Sequence, residues 1–288
     1  DYKVEPYNEE NNTGLVRHIL TRVGRKTGEV MICVIINGKE LTGVVPGGIS
    51  GHKSKYMNVE QELVKCMENI PGITSISVNV NREKTNRILG DTCRTIWGKE
   101  TITDYIGNVK YQINPLSFYQ VNPAQTEHLY EKAIQCAKLT GKEIVLDAYC
   151  GTGTIGIIAS KHAKEVYGVE LNKDAIRDAI TNAKRNDIKN VQFYNADAGR
   201  FMVEMSEQGA DVDVVFMDPP RAGSDEAFLS SVVKLAPKKV VYVSCNPQTL
   251  ARDLKYLTKK GYRVVEATPY DMFPMTSHIE CVVSLKKG

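Results

Sequence analysis

The stretch that decides the fold is IVLDAYCGTGTIG, residues 144–156, in which an apolar run leads into a glycine-rich turn. The apolar run predicts a buried strand that ends at Asp147, and glycines follow at positions 151, 153 and 156 in the spacing G-x-G-x-x-G. A strand, a glycine turn and a helix in this order are typical of an α/β fold that binds a nucleotide-like ligand. We therefore expect a ligand crevice at the carboxyl end of this strand.

Acidic residues at successive strand ends indicate which ligand this turn binds. Glu170 ends the next strand, as the ribose-binding acid of a dinucleotide site does. Asp147 opposes a dinucleotide, because its charge would repel a pyrophosphate, whereas it would attract the ammonium and sulfonium of S-adenosylmethionine (SAM). Asp197 follows the third strand, where it could bind an adenine amino group. The pattern favours SAM over NAD and leaves a dehydrogenase as a distant alternative.

The arrangement of strands and helices divides the chain into two predicted domains, residues 1–115 and 116–288. After a helix at Pro123–Ala137, short apolar strands alternate with helices, which predicts a mostly parallel, Rossmann-like sheet covered on both faces. The last two strands have no helix between them and should form an antiparallel hairpin at the sheet edge. The strands of this domain are predicted at residues 144–147, 166–169, 191–194, 212–217, 239–243, 262–267 and 279–285.

The first domain is predicted to be a small antiparallel α+β unit. One helix is expected at residues 59–68, before Pro71 and Gly72. β-Branched and alternating runs predict its strands at Val16–Val23, Val30–Ile36, Ile73–Val80, 101–106 and Val109–Ile113.

Composition excludes several classes of protein. The 288 residues are 42% hydrophobic and 25% charged, which is typical of a globular protein, and no apolar run is long enough for a transmembrane helix. Seven scattered cysteines form no disulfide framework and indicate a reducing, cytoplasmic setting. The net charge of +3 neither requires nor forbids a polyanionic partner, although basic residues outnumber acidic ones between Arg221 and Arg263.

Two further motifs follow predicted strands, and a third enters the last strand. Asp218 begins the turn DPPRAG, where Arg221 replaces the aromatic residue typical of amino-directed methyltransferases. Cys245 lies in the strand-to-helix turn SCNP, where helix amides should favour a thiolate, and Cys150 is its competitor. Glu280 enters an otherwise apolar strand, where burial should raise its pKa towards that of a general base, with His278 as an ordering partner.

These motifs together resemble the RNA (uracil-5-)-methyltransferase family, whose members make 5-methyluridine in 23S rRNA and tRNA. The first and last motifs are most similar to the 23S rRNA branch of Gram-positive bacteria. The resemblance spans residues 117–280 and rests on SFYQVN (117–122), LDAYCGTG (146–153), GVE (168–170), DPPRAG (218–223), SCNPQTLARD (244–253) and DMFPMTSHIE (271–280).

The resemblance implies a Rossmann-like, SAM-dependent methyltransferase fold and a set of site residues. Cys245 matches the nucleophile that adds to uracil C6, and Glu280 matches the base that removes the C5 proton. Phe118, Gln120 and Asp218 match positions that contact the target base. The positions that match SAM contacts are Gln120, Tyr149, Thr154, Glu170, Asp197 and Asp218.

The chain departs from the family pattern in two ways. Family members usually begin with a small OB-like RNA-binding domain, which we expect this chain to lack. Some members also hold an iron–sulfur cluster, but Cys33, Cys66 and Cys93 lie too far apart in the sequence to predict one. The predicted protein is a cytoplasmic, metal-free monomer that modifies RNA and has no membrane partner.

Three other functions remain as alternatives. A tRNA substrate would use the same chemistry as 23S rRNA. An RNA cytosine-5 methyltransferase usually carries a second cysteine in the turn at residues 218–223, which contains none here. A non-catalytic module that binds RNA or SAM predicts loss of the nucleophile or base, yet Cys245 and Glu280 are both present.

Overall fold

A computed structural model describes residues 2–45, 55–117 and 119–288. Contacts divide the chain into a small unit, Asp1–Tyr105 with Tyr111–Ser117, and a large unit, Ile106–Lys110 with Phe118–Gly288. The boundary between domains at residues 115 and 116 stays a prediction, because a division by contacts does not show whether the two units fold independently.

The small unit contains a four-stranded sheet in the order β1-β2-β5-β6. Its core is formed by apolar side chains of β2, β5 and the segments beside them, including Val34, Ile36 and Val78. The elements up to residue 113 are β1 (Val16–Val23), β2 (Val30–Ile36), β3 (Thr42–Val45), β4 (Lys55–Asn58), α1 (Glu60–Met67), β5 (Ile73–Val80), β6 (Thr92–Gly98), β7 (Ile102–Ile106) and β8 (Val109–Ile113).

The expectation of a wholly antiparallel sheet is wrong for one pair of strands in the small unit. β1 and β6 run antiparallel to their neighbours, but β2 and β5 are parallel. Parallel neighbours need a long connection, and here the chain passes through β3, β4 and α1 between the two strands.

The large unit is built on a seven-stranded sheet in the order β11-β10-β9-β12-β13-β15-β14. The strands are β9 (Ile144–Ala148), β10 (Glu165–Glu170), β11 (Val191–Asn195), β12 (Val214–Met217), β13 (Lys239–Ser244), β14 (Tyr262–Tyr270) and β15 (Glu280–Lys287). The helices are α2 (Pro123–Ala137), α3 (Thr154–Ser160), α4 (Lys173–Arg185), α5 (Ala198–Glu207), α6 (Glu226–Leu235) and α7 (Pro247–Lys259).

The sheet confirms the predicted Rossmann-like fold with an antiparallel edge. β9, β10, β11, β12 and β13 are mutually parallel, and β15 pairs antiparallel with both β13 and β14. β12 is apolar along its whole length and every one of its residues is buried, as expected of a strand that helices cover on both faces; β9 is apolar except for Asp147. The order of strands reverses between β9 and β12, which places a ligand crevice at the carboxyl ends of these two strands.

Five helices of the large unit begin at a side chain that satisfies a free backbone N–H. Each cap is an Asn or Asp whose side-chain oxygen accepts a bond from the first turn, which stabilises a helix by about 1 kcal/mol. The caps of α2, α4, α5, α6 and α7 are Asn122, Asn172, Asp197, Asp225 and Asn246. Among the described residues, no helix is long and apolar enough to cross a membrane.

Candidate active site

The glycine turn after β9 requires glycine for close packing. Gly153 has φ +82° as the cap of α3, and a Cβ there would lie 2.7 Å from the Phe193 ring. Gly156 lies so close to β9 that a Cβ would be 3.0 Å from Asp147 Oδ2. The Gly156 N–H donates to that same oxygen at 2.8 Å. The turn is therefore held against the strand end by a hydrogen bond that a larger side chain would strain.

Asp147 is a buried carboxyl with one satisfied oxygen. Its side chain is 1% exposed, and no donor in the described part of the chain reaches Oδ1. The pKa of Asp147 is raised to about 7, mainly by burial; the hydrogen bond from Gly156 opposes this shift and the charge of Glu170 adds to it. A buried acceptor without a donor is costly, so this oxygen is suited to bind a cationic or donor group of a ligand.

The antiparallel direction of β15 brings Glu280 to the same edge of the sheet. Ser244, the last residue of β13, pairs with Cys281. Because the two strands run in opposite directions, the first residue of β15 lies beside the carboxyl end of β13. Glu280 and Cys245 therefore lie next to each other, although 35 positions separate them in the chain.

Two carboxyl groups beside the crevice have raised pKa values. Burial raises the pKa of Asp218 to about 8, with the charges of Glu280 and Asp147 adding to the effect. Burial also raises the pKa of Glu280 to about 7, although the Arg221 guanidinium opposes the shift. Glu280 is 5% exposed, whereas Asp218 is half-buried. At neutral pH both groups can therefore hold or release a proton, as general acids and bases do.

The structure corrects the expected effect of the helix on Cys245. The pKa of the thiol is raised, because burial and the nearby Glu280 and Asp218 outweigh the backbone and the Arg221 guanidinium, which lower it. Cys245 precedes Asn246, the cap of α7, so it lies outside the first turn of the helix. The amides there bond the cap residue's side chain, as Gln248 N–H does at 3.0 Å.

Helix α7 fixes the turn that carries Asp218. Asp253 is 0% exposed, and its Oδ2 accepts bonds from Ser224 N–H at 2.8 Å and the Tyr242 hydroxyl at 2.7 Å. Arg252 donates to the carbonyl oxygens of Ala222 and Ser224 at 3.0 and 2.8 Å. These bonds explain the Arg252-Asp253 pair at the end of the cysteine motif, since they pin residues 222–224 to the helix.

A cavity of about 740 Å³ joins these groups. Its volume suits a cofactor-sized ligand. The predicted site residues that line it are Gln120, Tyr149, Thr154, Glu170, Asp218, Cys245 and Glu280. Asp147, Cys150 and Arg221 line it as well. Phe118, predicted to contact the base, lies outside the described residues.

Asp197 is the predicted residue that the structure places elsewhere. It lines an adjoining cavity of about 520 Å³, which Tyr149 also lines. Its Oδ1 accepts the Arg200 N–H at 2.8 Å because it caps α5. Tyr149, whose ring lies 4.7 Å from that of Phe228, is thus the residue common to both cavities.

The cavity includes Tyr130, which no sequence motif indicated, and His278 contacts a different residue from the one expected. Tyr130 is buried on α2, lines the cavity and hydrogen-bonds Gln120; its pKa is raised by burial and by Asp218. The only sequence signal was its place on the buried face of the helix. His278 Nδ1 lies 3.3 Å from an Arg221 nitrogen, rather than ordering Glu280 as expected. Among the described residues, no group of three or more His, Cys, Asp or Glu could hold a metal ion.

Comparison with known proteins identifies the family. The sequence profile of the tRNA (uracil-5-)-methyltransferase family matches residues 75–288. The chain belongs to this family. An uncharacterized RNA methyltransferase of Caldanaerobacter subterraneus is 44% identical to the chain over 99% of its residues. An uncharacterized RNA methyltransferase of Clostridium acetobutylicum is 45% identical over 100% of them. These matches cover 60% and 59% of the relatives, so the chain spans about three-fifths of their length.

A solved structure shares both the fold and the sequence pattern. It is the Pyrococcus abyssi tRNA (uracil-54, C5)-methyltransferase in complex with S-adenosyl-L-homocysteine. The two chains are 31% identical with a TM-score of 0.74, over 98% of this chain and 63% of the other.

The raised pKa of Asp218 predicts that this carboxyl destabilises the folded protein at high pH. Asp ionises near pH 4 when unfolded, and Asp218 ionises near pH 8 when folded. Between these values the folded state binds more protons, so the free energy of unfolding falls as pH rises. Asp218→Asn should raise it by up to about 5 kcal/mol at pH 8 and change it little at pH 4. Urea unfolding across this range measures the difference.

The exposed Asp211 provides the matched control. Asp211→Asn should leave the dependence of unfolding on pH as it is in the unsubstituted protein. If both substitutions change stability equally at pH 4 and pH 8, burial is not the origin of the Asp218 shift.

Proposed function

We propose that the chain methylates C5 of uridine in RNA, with SAM as the methyl donor and 23S rRNA as the substrate. The observation that carries this proposal is one cavity lined by a cysteine, a buried glutamate and the glycine turn. Uracil C5 is a weak nucleophile, and covalent addition at C6 by a thiolate makes it reactive. A base is then needed to remove the C5 proton, and the cavity contains both groups.

The residues of the cavity fit SAM. Asp147 offers a buried, unpaired carboxylate oxygen, which suits a cationic group better than a phosphate. When bound, SAM supplies an electrophilic methyl group. Five residues of the cavity would hold it, namely Gln120, Tyr149, Thr154, Glu170 and Asp218, with Asp197 at the adjoining cavity.

Cys245 is the proposed nucleophile. Its half-buried thiol lies near the carboxyl groups of Glu280 and Asp218, whose charges add to burial in raising the pKa of the thiol. Arg221 lowers the pKa of both Cys245 and Glu280 and thereby favours the anionic forms that the reaction needs. Cys150 is a weaker candidate, because it is buried and its pKa is strongly raised by burial.

Glu280 is the proposed base for the C5 proton. A carboxylate with a pKa of about 7 takes up a proton far more readily than an exposed glutamate does. Asp218 holds its own proton up to about pH 8 and so can donate a hydrogen bond to uracil O4, where negative charge develops after addition at C6. The two carboxyls thus take different roles at the same pH.

The choice of RNA rests on the sequence of two motifs. Residues 117–122 and 271–280 resemble the 23S rRNA branch, and the matched relatives are named as RNA methyltransferases. tRNA is the second candidate, because the Pyrococcus abyssi enzyme acts on tRNA. The protein is proposed to act in the cytoplasm, where both RNAs occur. A non-catalytic RNA-binding role is disfavoured by the presence of both Cys245 and Glu280 in the cavity.

Product analysis tests the function directly. The chain is incubated with SAM and with unmodified 23S rRNA or tRNA, and the RNA nucleosides are then separated and identified. We expect 5-methyluridine in 23S rRNA. Product in tRNA alone would reassign the substrate, whereas 5-methylcytidine or no product would overturn the proposed reaction.

Cys245→Ala should abolish methylation and leave SAM binding within about twofold of the wild-type value, because the thiol adds to the base and does not hold the cofactor. Calorimetric titration with SAM and the nucleoside assay measure the two effects. Cys150→Ala, a change at the other cysteine of the cavity, should retain turnover. Methylation by Cys245→Ala would remove this residue from the role of nucleophile.

Glu280→Gln should trap a covalent complex between protein and RNA. With SAM present, Cys245 can add to C6 and C5 can be methylated, but without the base the C5 proton stays in place and elimination cannot release the cysteine. The adduct is detected as a slower band on a denaturing gel. The double variant Cys245→Ala/Glu280→Gln is the control and should give no such band. Normal release of product by Glu280→Gln would show that another group is the base.

A further inference from the structure

Three exposed apolar side chains lie on segments that line the 740 Å³ cavity. Met275, Val121 and Leu171 are the three most exposed large apolar side chains among the described residues, at 103%, 74% and 72%. Val121 and Leu171 line the cavity itself. Met275 follows Phe273, which lines the cavity, and precedes Ser277, which lines an adjoining groove with Cys245. We call Met275, Val121 and Leu171 the apolar rim.

The backbone projects Met275 into solvent at a conformational cost. Its φ is +68°, in the left-handed region that side chains other than glycine rarely adopt. The turn is held by Thr276, whose N–H and hydroxyl both donate to the Phe273 carbonyl oxygen, at 3.2 and 2.7 Å. Strain of this kind persists where the surrounding structure enforces it, and it concentrates at functional sites. Packing against the described residues does not offset this cost, because Met275 is fully exposed.

Isolated exposed apolar side chains are ordinary, but a group of them around one opening is typical of an interaction surface. The chemistry of the opening favours nucleobases as the occupant. Asp147, Asp218 and Glu280 lie inside the cavity, and acidic groups oppose the approach of phosphates. Nucleobases present apolar faces, and a base that reacts in a cavity must first leave its stack. Apolar side chains, including Met, insert between bases in other nucleic-acid complexes and stabilise the unstacked form.

We propose that the apolar rim packs on the bases that flank the reacting uridine, with Met275 filling the position that this uridine vacates. The inference rests on the proposed function, because it assumes that RNA is the substrate. Met275 is a positioning residue: it stabilises the unstacked RNA and takes no part in bond formation. Val121 and Leu171 contact the neighbouring bases from the opposite segments of the mouth.

Two RNA probes test whether Met275 acts as a wedge, that is, whether it fills the position that the reacting uridine vacates. The first is an RNA hairpin with one uridine in its stem and 2-aminopurine beside it; the second is the same strand without its complementary half. Met275→Ala should lower kcat/KM about tenfold on the hairpin and by a smaller factor on the single strand, where no stack must be opened. Met275→Leu should restore the wild-type value on the hairpin, because it keeps the apolar bulk. Met57→Ala is the matched control, since Met57 is exposed on β4 of the small unit, and it should change neither rate.

The fluorescence of 2-aminopurine separates the wedge from the reaction. Binding of the wild-type protein should raise the fluorescence as the neighbouring stack opens, and Met275→Ala should give a smaller rise. If the wild type forms no 5-methyluridine but still opens the hairpin through Met275, the proposed function fails and the wedge stands.

Three results would overturn the wedge. One is an equal loss of rate on the hairpin and the single strand. Another is wild-type activity and fluorescence for Met275→Ala. The third is a dimer in solution that Met275→Ala dissociates while methylation of the hairpin is unchanged, which would assign the apolar rim to a contact between two copies of the chain.

Discussion

The burial of carboxyl groups at one edge of the large sheet is the constraint on which the site depends. Asp147 lies near the carboxyl end of β9 and Asp218 directly follows β12, the two strands between which the strand order reverses, and the antiparallel β15 adds Glu280. Desolvation raises all three pKa values to between about 7 and 8. The same burial underlies the roles proposed for these groups, with Asp147 binding a cation, Glu280 acting as the base and Asp218 donating a hydrogen bond. If β15 were parallel to β13, its first residue would lie beside the amino end of β13, away from Cys245.

The chemistry also requires that two turns keep a fixed separation, and side-chain bonds to the backbone provide it. Arg221 O accepts bonds from the Asn246 amide at 3.1 Å and the Thr249 hydroxyl at 3.2 Å, which joins the Asp218 turn directly to the Cys245 turn. The Arg252–Asp253 pair fixes the far end of the first turn. Because Asp253 is fully buried, loss of its charge partners would leave an uncompensated carboxylate in the core, which is strongly destabilising. The Asp218 turn and the Cys245 turn are therefore both attached to α7.

The fold of the large unit could be predicted because its signals are local. Apolar runs and turn residues identified every strand of the large sheet within a few residues, strand ends located Asp218 and Cys245, and the last strand located Glu280. β6 and the β3–β4 pair were missed, because their sequences lack a clear alternation of apolar and polar residues. The pKa of Cys245 could not be predicted, since it depends on Glu280, which joins the site only through strand pairing. Asp197 was identified by position, but its role as a helix cap turns it towards Arg200.

An acidic cavity is an unexpected place to receive a polyanion, and the raised pKa values explain how it can. Groups that ionise near pH 7 to 8 are only partly ionised at neutral pH, so the cavity carries less negative charge than three full carboxylates would, although enough remains to oppose phosphates. In the proposed reaction Glu280 must be ionised before it accepts the C5 proton, and a pKa of about 7 allows this in a large fraction of molecules at neutral pH. The proposed apolar rim would bind bases through apolar contact. Lysines in the same place would instead form ion pairs with the carboxyl groups of the cavity. Net charge then matters little for this site, and the chain's modest +3 is compatible with an RNA substrate.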